Sequence, residues 1–230
     1  MISRLDIKLR AKQQLSKQYW PCVGWLFLLS LISALLPSVV SGSNINTPFF
    51  VIGNGPFYYV PPTFTLSIVL GFVLSILITA ACTVGISYFG ALAYRGESVG
   101  ANQAFIGFKK PLRSLGGLLW MQLWIFLWSL LFIIPGLIKS YAYSMTPYLL
   151  ADRDDISATD ALKLSMEMTH GYKMDLFIAH LSFIGWFLLV GLTLGIVGIF
   201  YVIPYFVITM GGYYEELKLR HQDKTAYQTI

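Results

Sequence analysis

Long apolar runs separated by short charged segments set the pattern of this chain. Tyr19 to Val40, Leu66 to Tyr94 and Leu115 to Ile134 each run without a charged side chain. About 20 residues at ~1.5 Å each cross the ~30 Å hydrocarbon layer of a bilayer, so each run predicts a membrane helix. Two longer stretches must be divided. Past Ile134 the apolar pattern continues through Pro135-Gly136 into Leu137 to Ala151, interrupted by Lys139. Proline removes a backbone donor and glycine frees the backbone for a tight turn, so Pro135-Gly136 reads as the tip of a helical hairpin. The alternative is one kinked helix that ends near Lys139. From Leu176 to Tyr214 only His180 could carry charge among 39 residues, too long for one crossing even with tilt. Gly191-Leu192-Thr193-Leu194-Gly195 supplies a break, although Gly191 and Gly195 also match the GxxxG close-packing spacing.

The fold class expected is therefore an all-α polytopic bundle of six membrane helices in a single membrane domain, residues 1–230. The spans lie at about 19–40, 66–94, 115–134, 137–151, 175–191 and 195–214. Outside them, residues 1–18 form a cytoplasmic or interfacial segment. Its Ile2, Leu5, Leu9 and Leu15 alternate with five cations, which suits either an inner-leaflet helix or an ordinary basic flank. Residues 156–171 read as a short amphipathic helix on the same side. Ser157 is placed to cap it, Asp160 lies in its first turn and Gly171 stops it.

Charge sharpens the topology. The chain is 56% hydrophobic and 12% charged, with a mean hydropathy of +0.66 and a net charge of +5. Soluble domains carry about 25% charged residues, so a soluble fold, a disordered chain and a disulfide-rich module are excluded. With six helices and both termini cytoplasmic, every Lys and Arg except Lys139 falls on the cytoplasmic side. A five-helix arrangement would strand one basic segment outside. The outer segment 41–65 has no charge and is rich in aromatics (Phe49, Phe50, Phe57, Tyr58 and Tyr59). It is expected to fold onto the outer leaflet or cap the bundle, or to offer a surface for an apolar ligand or peptide. The basic region ahead of the first apolar run is long and the run itself exceeds a signal-peptide core, so a retained helix is favoured over a cleaved leader.

Candidate chemistry is sparse. Lys139 and His180 are the two ionisable groups inside the expected spans, and such groups are functional candidates in lipid. Lys139 follows the hairpin tip closely enough to snorkel to the headgroups; the other reading is a ligand or ion contact. His180 reads as an interhelical hydrogen-bond partner or a proton relay. Cys22 and Cys82 lie in apolar runs and read as small core residues. Glu215-Glu216-Leu217-Lys218-Leu219-Arg220 fits the EExxxR box of CAAX-type intramembrane proteases, but the partner histidines of that box are missing downstream, and the pattern reads as a charged flank. No catalytic, cofactor-binding or metal-binding set is expected, and the basic residues form no nucleic-acid groove.

The run Ile134 to Asp152, with its IPGLIKSYAYSMTPYLLAD sequence, is distinctive. With Ile156-Ser157-Ala158, Ser165-Met166, Gly171, Lys173, Leu181 to Trp186, Pro204-Tyr205, Tyr213-Tyr214 and N-terminal Ala11-Lys12, Leu15 and Tyr19-Trp20, it resembles domain-of-unknown-function family 975. These are bacterial integral membrane proteins common in Firmicutes, and the resemblance covers nearly the whole chain. It implies a six-helix plasma-membrane protein, distantly similar to the membrane domains of some glycerophosphodiester phosphodiesterases. The family transfers no catalytic residues. The expected function is a non-enzymatic envelope accessory, assembly or protective factor. The alternative is a transporter or channel for a lipid-like or small solute, and an intramembrane protease is remote. The expected partners are the lipid bilayer and a membrane protein or peptide.

Overall fold

The computed structural model describes residues 3–40 and 62–228, and these contain helices and no strands. The aromatic segment 41–65 falls, up to residue 61, outside the described residues. Eleven α-helices are formed in this order: α1 Arg4–Lys17, α2 Tyr19–Val40, α3 Pro62–Arg95, α4 Ala101–Ala104, α5 Pro111–Leu131, α6 Ile133–Ala142, α7 Thr146–Asp152, α8 Ala158–Thr169, α9 Lys173–Leu181, α10 Ile184–Leu192 and α11 Ile203–Gln228. Among the described residues three segments are long and apolar enough to cross a membrane: Gly71–Arg95, Pro111–Leu131 and Lys173–Leu192. The last joins α9 and α10 across a turn at Ser182-Phe183, where both residues keep helical backbone angles.

The centre of the bundle is the pair α3 and α11, which run in the same direction. Gly90 meets Val207 and Gly211, Tyr94 meets Gly212, and Arg95 reaches Glu215 at the end of the pair. A Cβ on Gly211 would overlap the Gly90 backbone. The absence of side chains there lets two helix backbones touch, the device by which membrane helices gain packing without a hydrophobic drive. Around this pair Cys22, Leu26, Phe89, Leu92, Leu149, Phe183, Ile208, Tyr213, Tyr214 and Leu217 fill the core.

Helix α1 buries Ile7, Ala11 and Leu15 against the bundle and leaves Leu5 and Leu9 exposed. Lys8 Nζ donates to Ser182 Oγ at 2.6 Å and lies over the Phe183 ring. The segment is thus packed on the bundle through one face, with a second apolar edge left outward.

Three helix boundaries differ from those the sequence suggested: the α5–α6 reversal, the break within 137–151 and the C-terminal end of α11. The hairpin after α5 reverses at Phe132, which is extended (φ −156°, ψ 142°). Pro135 and Gly136 follow inside the first turn of α6, where a proline N–H is not needed. Gly136 instead faces Ser129 across the hairpin, so close that a Cβ would collide with that side chain.

The stretch 137–151 is two helices, because the chain turns at 143–145 ahead of Pro147. A proline cannot donate and disfavours helix in the residue before it. The backbone groups freed at this break are taken up by α8. Ser165 Oγ donates to the Ala142 carbonyl at 2.9 Å and accepts the Met145 N–H at 3.2 Å, and Thr169 Oγ1 donates to the same carbonyl.

The reversal between α10 and α11 occupies 193–195. Leu194 and Gly195 both take positive φ (51° and 89°), and the Gly195 N–H closes on the Val190 carbonyl at 2.9 Å. Gly191 lies in the last turn of α10, and nothing packs within reach of a Cβ there or at Gly195. A wide π-turn, Gly198–Val202, precedes Pro204. Proline leaves the Phe200 carbonyl without its usual i+4 donor, and the Tyr19 hydroxyl of α2 donates to it at 2.9 Å. Helix α11 then continues through Tyr214 to Gln228 rather than stopping at the end of the apolar run.

Helix α8 begins on Ser157, whose Oγ accepts the Asp160 N–H at 3.1 Å, and it buries Ala161, Leu162, Ser165, Met168 and Thr169.

Candidate functional site

The C-terminal ends of α3 and α7 and the middle of α11 bring charge together at one end of the bundle. Helix α3 stops at Arg95, the first charge after its apolar run, where Gly96 takes φ +87°. Helix α7 stops at Asp152, likewise the first charge after Lys139, and α11 presents Tyr214, Glu215 and Lys218. The Asp152 side chain is only 9% exposed, and it is the hub. Its Oδ2 accepts Lys218 Nζ at 2.5 Å and the Tyr214 hydroxyl at 2.7 Å, and its Oδ1 accepts Arg95 Nη2 at 3.2 Å. Arg95 also pairs with Glu215 at 2.7 Å and, more loosely, with exposed Glu97 at 3.7 Å. The Glu215 contact is an ion pair set off the line of a good hydrogen bond. Tyr148 stacks on Tyr214 with ring centres 5.0 Å apart and closes one side of the cluster.

Asp152, Glu215, Arg95 and Lys218 balance to zero. Burial alone would raise the Asp152 carboxyl. The hydrogen bonds from Lys218 and Tyr214, reinforced by the charges of Lys218 and Arg95, outweigh it and hold the group below the usual carboxylate range. A depressed folded pKa means stabilisation that is complete above the unfolded value of about 3.9 and is lost as pH falls through the folded one. The melting temperature of the protein in nanodiscs is therefore expected to hold level from pH 7 to 5 and to drop on acidification below about pH 4. Asp152→Asn should flatten that acid limb; an identical limb in the variant would assign it elsewhere.

A second set of charges pins the segment after α7. Arg113 donates to the carbonyls of Leu150, Arg153 and Ile156 and pairs with Asp154 at 3.0 Å, which Lys110 also reaches. This ties the start of α5 to the turn between α7 and α8.

The residues singled out in the sequence are not gathered into one site. Lys139, in the last turn of α6, lies over the rings of Trp128 (5.2 Å) and Tyr143 (5.8 Å) with its Nζ 3.9 Å from Met166 Sδ. No carboxylate pairs with it among the described residues. His180 Nδ1 contacts its own helix at the Leu176 carbonyl, 2.9 Å away. A carbonyl only accepts, so that nitrogen carries the proton. The imidazole packs edge-on against Tyr141 and Phe206. The two residues share no contact. In the EExxxR pattern, Glu215 is held by Arg95 and Glu216 by Arg220 at 2.7 Å, so the two glutamates face different arginines. Cys22 and Cys82 are buried free thiols. Among the described residues no group of three or more His, Cys, Asp or Glu could hold a metal ion.

The fold and this cluster define the class: an all-helical protein with membrane-length apolar helices, closed at one end by a neutralised charge network. Within that class, the family model described as "Protein of unknown function (DUF975)" matches residues 132–221, from the α5–α6 reversal into α11, and supports kinship with that family. No curated protein and no solved structure matches the chain.

Proposed function

We propose that this is a six-span protein of the bacterial plasma membrane, with both termini cytoplasmic, that acts as a non-enzymatic envelope accessory, assembly or protective factor. The observation that carries the reading is the commitment of its buried charge. Asp152 and Glu215 are each neutralised by cations of other helices or turns, the arrangement a scaffold requires. A glutamate-based hydrolytic centre of the EExxxR kind requires instead a carboxylate free to take a proton from water. The topology is supported by the clustering of cations next to the Arg95–Asp152–Lys218 end and by the exposed apolar side chains at the two reversals, Ile133, Leu192 and Leu194. The distant likeness of the Pro135-Gly136 hairpin to the membrane domains of glycerophosphodiester phosphodiesterases belongs to the same proposal.

Single cysteines test the topology in a Cys22→Ser, Cys82→Ser background. Residues 43 and 54 should label from outside intact cells, and residues 102 and 159 only after permeabilisation. Outside labelling at 159 would overturn the six-span arrangement. For the role, deletion of the gene is expected to sensitise cells to envelope stress or antimicrobial peptides. The wild-type chain and a folded Glu216→Gln variant should both restore resistance. An unchanged phenotype across such a panel, or a folded but inactive Glu216→Gln, would overturn it.

A second reading, a transporter or channel for a lipid-like or small solute, is favoured by one observation. A mainly apolar opening between α3 and α5 also carries the neutral polar side chains of Ser75, Thr79, Thr83 and Gln122 within the membrane-length segments. Flux in proteoliposomes would separate it from the first reading.

A further inference from the structure

The opening between α3 and α5 has a volume of about 370 Å³ and is lined on one side by Ser75, Thr79 and Thr83 and on the other by Leu115, Leu118 and Gln122. The serine and two threonines recur every fourth residue, so they occupy one face of α3. Two of the three hydroxyls are engaged by their own helix. Ser75 Oγ donates to the Phe72 carbonyl at 2.7 Å and Thr83 Oγ1 to the Thr79 carbonyl at 2.8 Å. Thr79 and Gln122 differ. Both are exposed, and the side chain of neither makes a hydrogen bond with a described residue.

Their depth makes this unusual. Gln122 lies half-way along α5 (Pro111–Leu131), about 16 Å from its start at ~1.5 Å per residue. That is near the middle of a hydrocarbon layer of about 30 Å. Thr79 lies within the apolar segment Gly71–Arg95. Water is not there to satisfy a carboxamide, so an unpaired one is costly and calls for a partner.

The chemistry of the lining selects that partner. Among the described residues no ionisable side chain borders the opening, so a charged headgroup would find no counter-ion there. A carboxamide and a hydroxyl each donate and accept, which suits a hydroxyl or an ester. The rest of the lining is apolar and accepts hydrocarbon. The volume lies near the lower end of small-molecule sites, ~300–1,000 Å³, enough for the polar end of a lipid and the adjoining chain with its tails left in the bilayer.

We propose that the α3–α5 groove binds an uncharged lipid whose hydroxyl or ester group hydrogen-bonds to Gln122 and Thr79. The proposal holds for an accessory factor and for a transporter alike, because it concerns occupancy and not flux.

The test uses the full chain in phosphatidylcholine nanodiscs with a diazirine-bearing diacylglycerol as probe. A diazirine-bearing phosphatidylglycerol with the same chains is the control. The diacylglycerol adducts are expected on α3 and α5 beside the groove and should be displaced by unlabelled dioleoylglycerol. Loss of a neutral hydrogen bond should cut that labelling about fivefold in Gln122→Leu or Thr79→Val. The phosphatidylglycerol probe should label wild type and variants equally. A triacylglycerol competitor separates the two recognised groups, displacing the probe when the ester is bound and failing when the hydroxyl is. Gln122→Leu replaces an unpaired polar group with an apolar one, so the bundle should keep its melting temperature. Labelling that ignores both substitutions would overturn the proposal, as would equal competition by phosphatidylglycerol. So would disulfide-linked dimers of Gln122→Cys in native membranes, which would make a second copy of the chain the occupant.

Discussion

Asp152→Ala is expected to lower the stability of the bundle by about 3–5 kcal/mol, the cost of removing one partner from a buried ion network. The loss is large because the carboxylate serves three donors at once. Without it Lys218 and Tyr214 lose an acceptor, and Arg95 retains only Glu215 and the exposed Glu97. Asp152→Asn should fall between the variant and the wild type, since an amide still accepts hydrogen bonds but leaves a net positive charge behind. Thermal denaturation in detergent or nanodiscs at pH 7 measures both. A melting temperature for Asp152→Ala equal to that of the wild type would mean that the cluster is hydrated and contributes nothing.

Gly211→Val should also be destabilising. Valine places three carbons where the backbone of Gly90 already lies, and the obstacle is backbone on both sides, so no side-chain rotation relieves it. Helices α3 and α11 would have to separate along their whole contact, and overpacking of this kind costs about 1–3 kcal/mol or more. Alanine at the same position is expected to be harmful and less so. At Gly24, where nothing stands within 4 Å of a Cβ, alanine should be neutral. Yield of monodisperse protein from membranes and its melting temperature are the readouts. Equal behaviour of Gly211→Val and Gly24→Ala would refute the close approach.

The long apolar helices were legible in the sequence because lipid imposes one strong rule: apolar side chains over about 20 residues. Gly71–Arg95, Pro111–Leu131 and Lys173–Leu192 all follow it. Boundaries were less legible. Pro135-Gly136 looks like a turn, yet the chain reverses at Phe132 and uses Gly136 for contact with Ser129. Proline punctuates a chain, but it is compatible with the first turn of a helix as well as with a break. Pro147 falls in the stretch read as a single span and marks a true break, because Ser165 and Thr169 of α8 are present to take up the freed backbone groups. That compensation is tertiary and leaves no local signal.

The charge cluster was half legible. Arg95, Asp152 and Glu215 are each the first charged residue after an apolar stretch, which marks all three as ends of apolar runs, although α11 continues past Glu215. A positive-inside argument counts such residues for topology and does not pair them. Their pairing follows from the parallel arrangement of α3 and α11, which is set by Gly90 and Gly211. Gly191 and Gly195 match the GxxxG spacing but bound the α10–α11 turn, the break the sequence offers there, whereas the glycines that join α3 and α11 lie on different helices. Thr79 and Gln122 are mild polar residues in apolar runs, unremarkable one at a time, and only packing sets them on a common groove.

The hub carboxylate also has a consequence for biosynthesis. A ribosome delivers Arg95 first, then Asp152, and Lys218 only 66 residues after Asp152. At about 5–20 residues per second, Asp152 waits roughly 3–13 s for its lysine. During that interval Arg95 alone must neutralise a carboxylate built to be shared, and Tyr148 lacks the ring it will stack on. Arrival of α11 supplies Tyr214, Glu215 and Lys218 together, along with the glycine face that seats against α3. Arrival of α11 therefore completes the cluster in one step, and a chain cut short before it leaves a buried acid without its lysine.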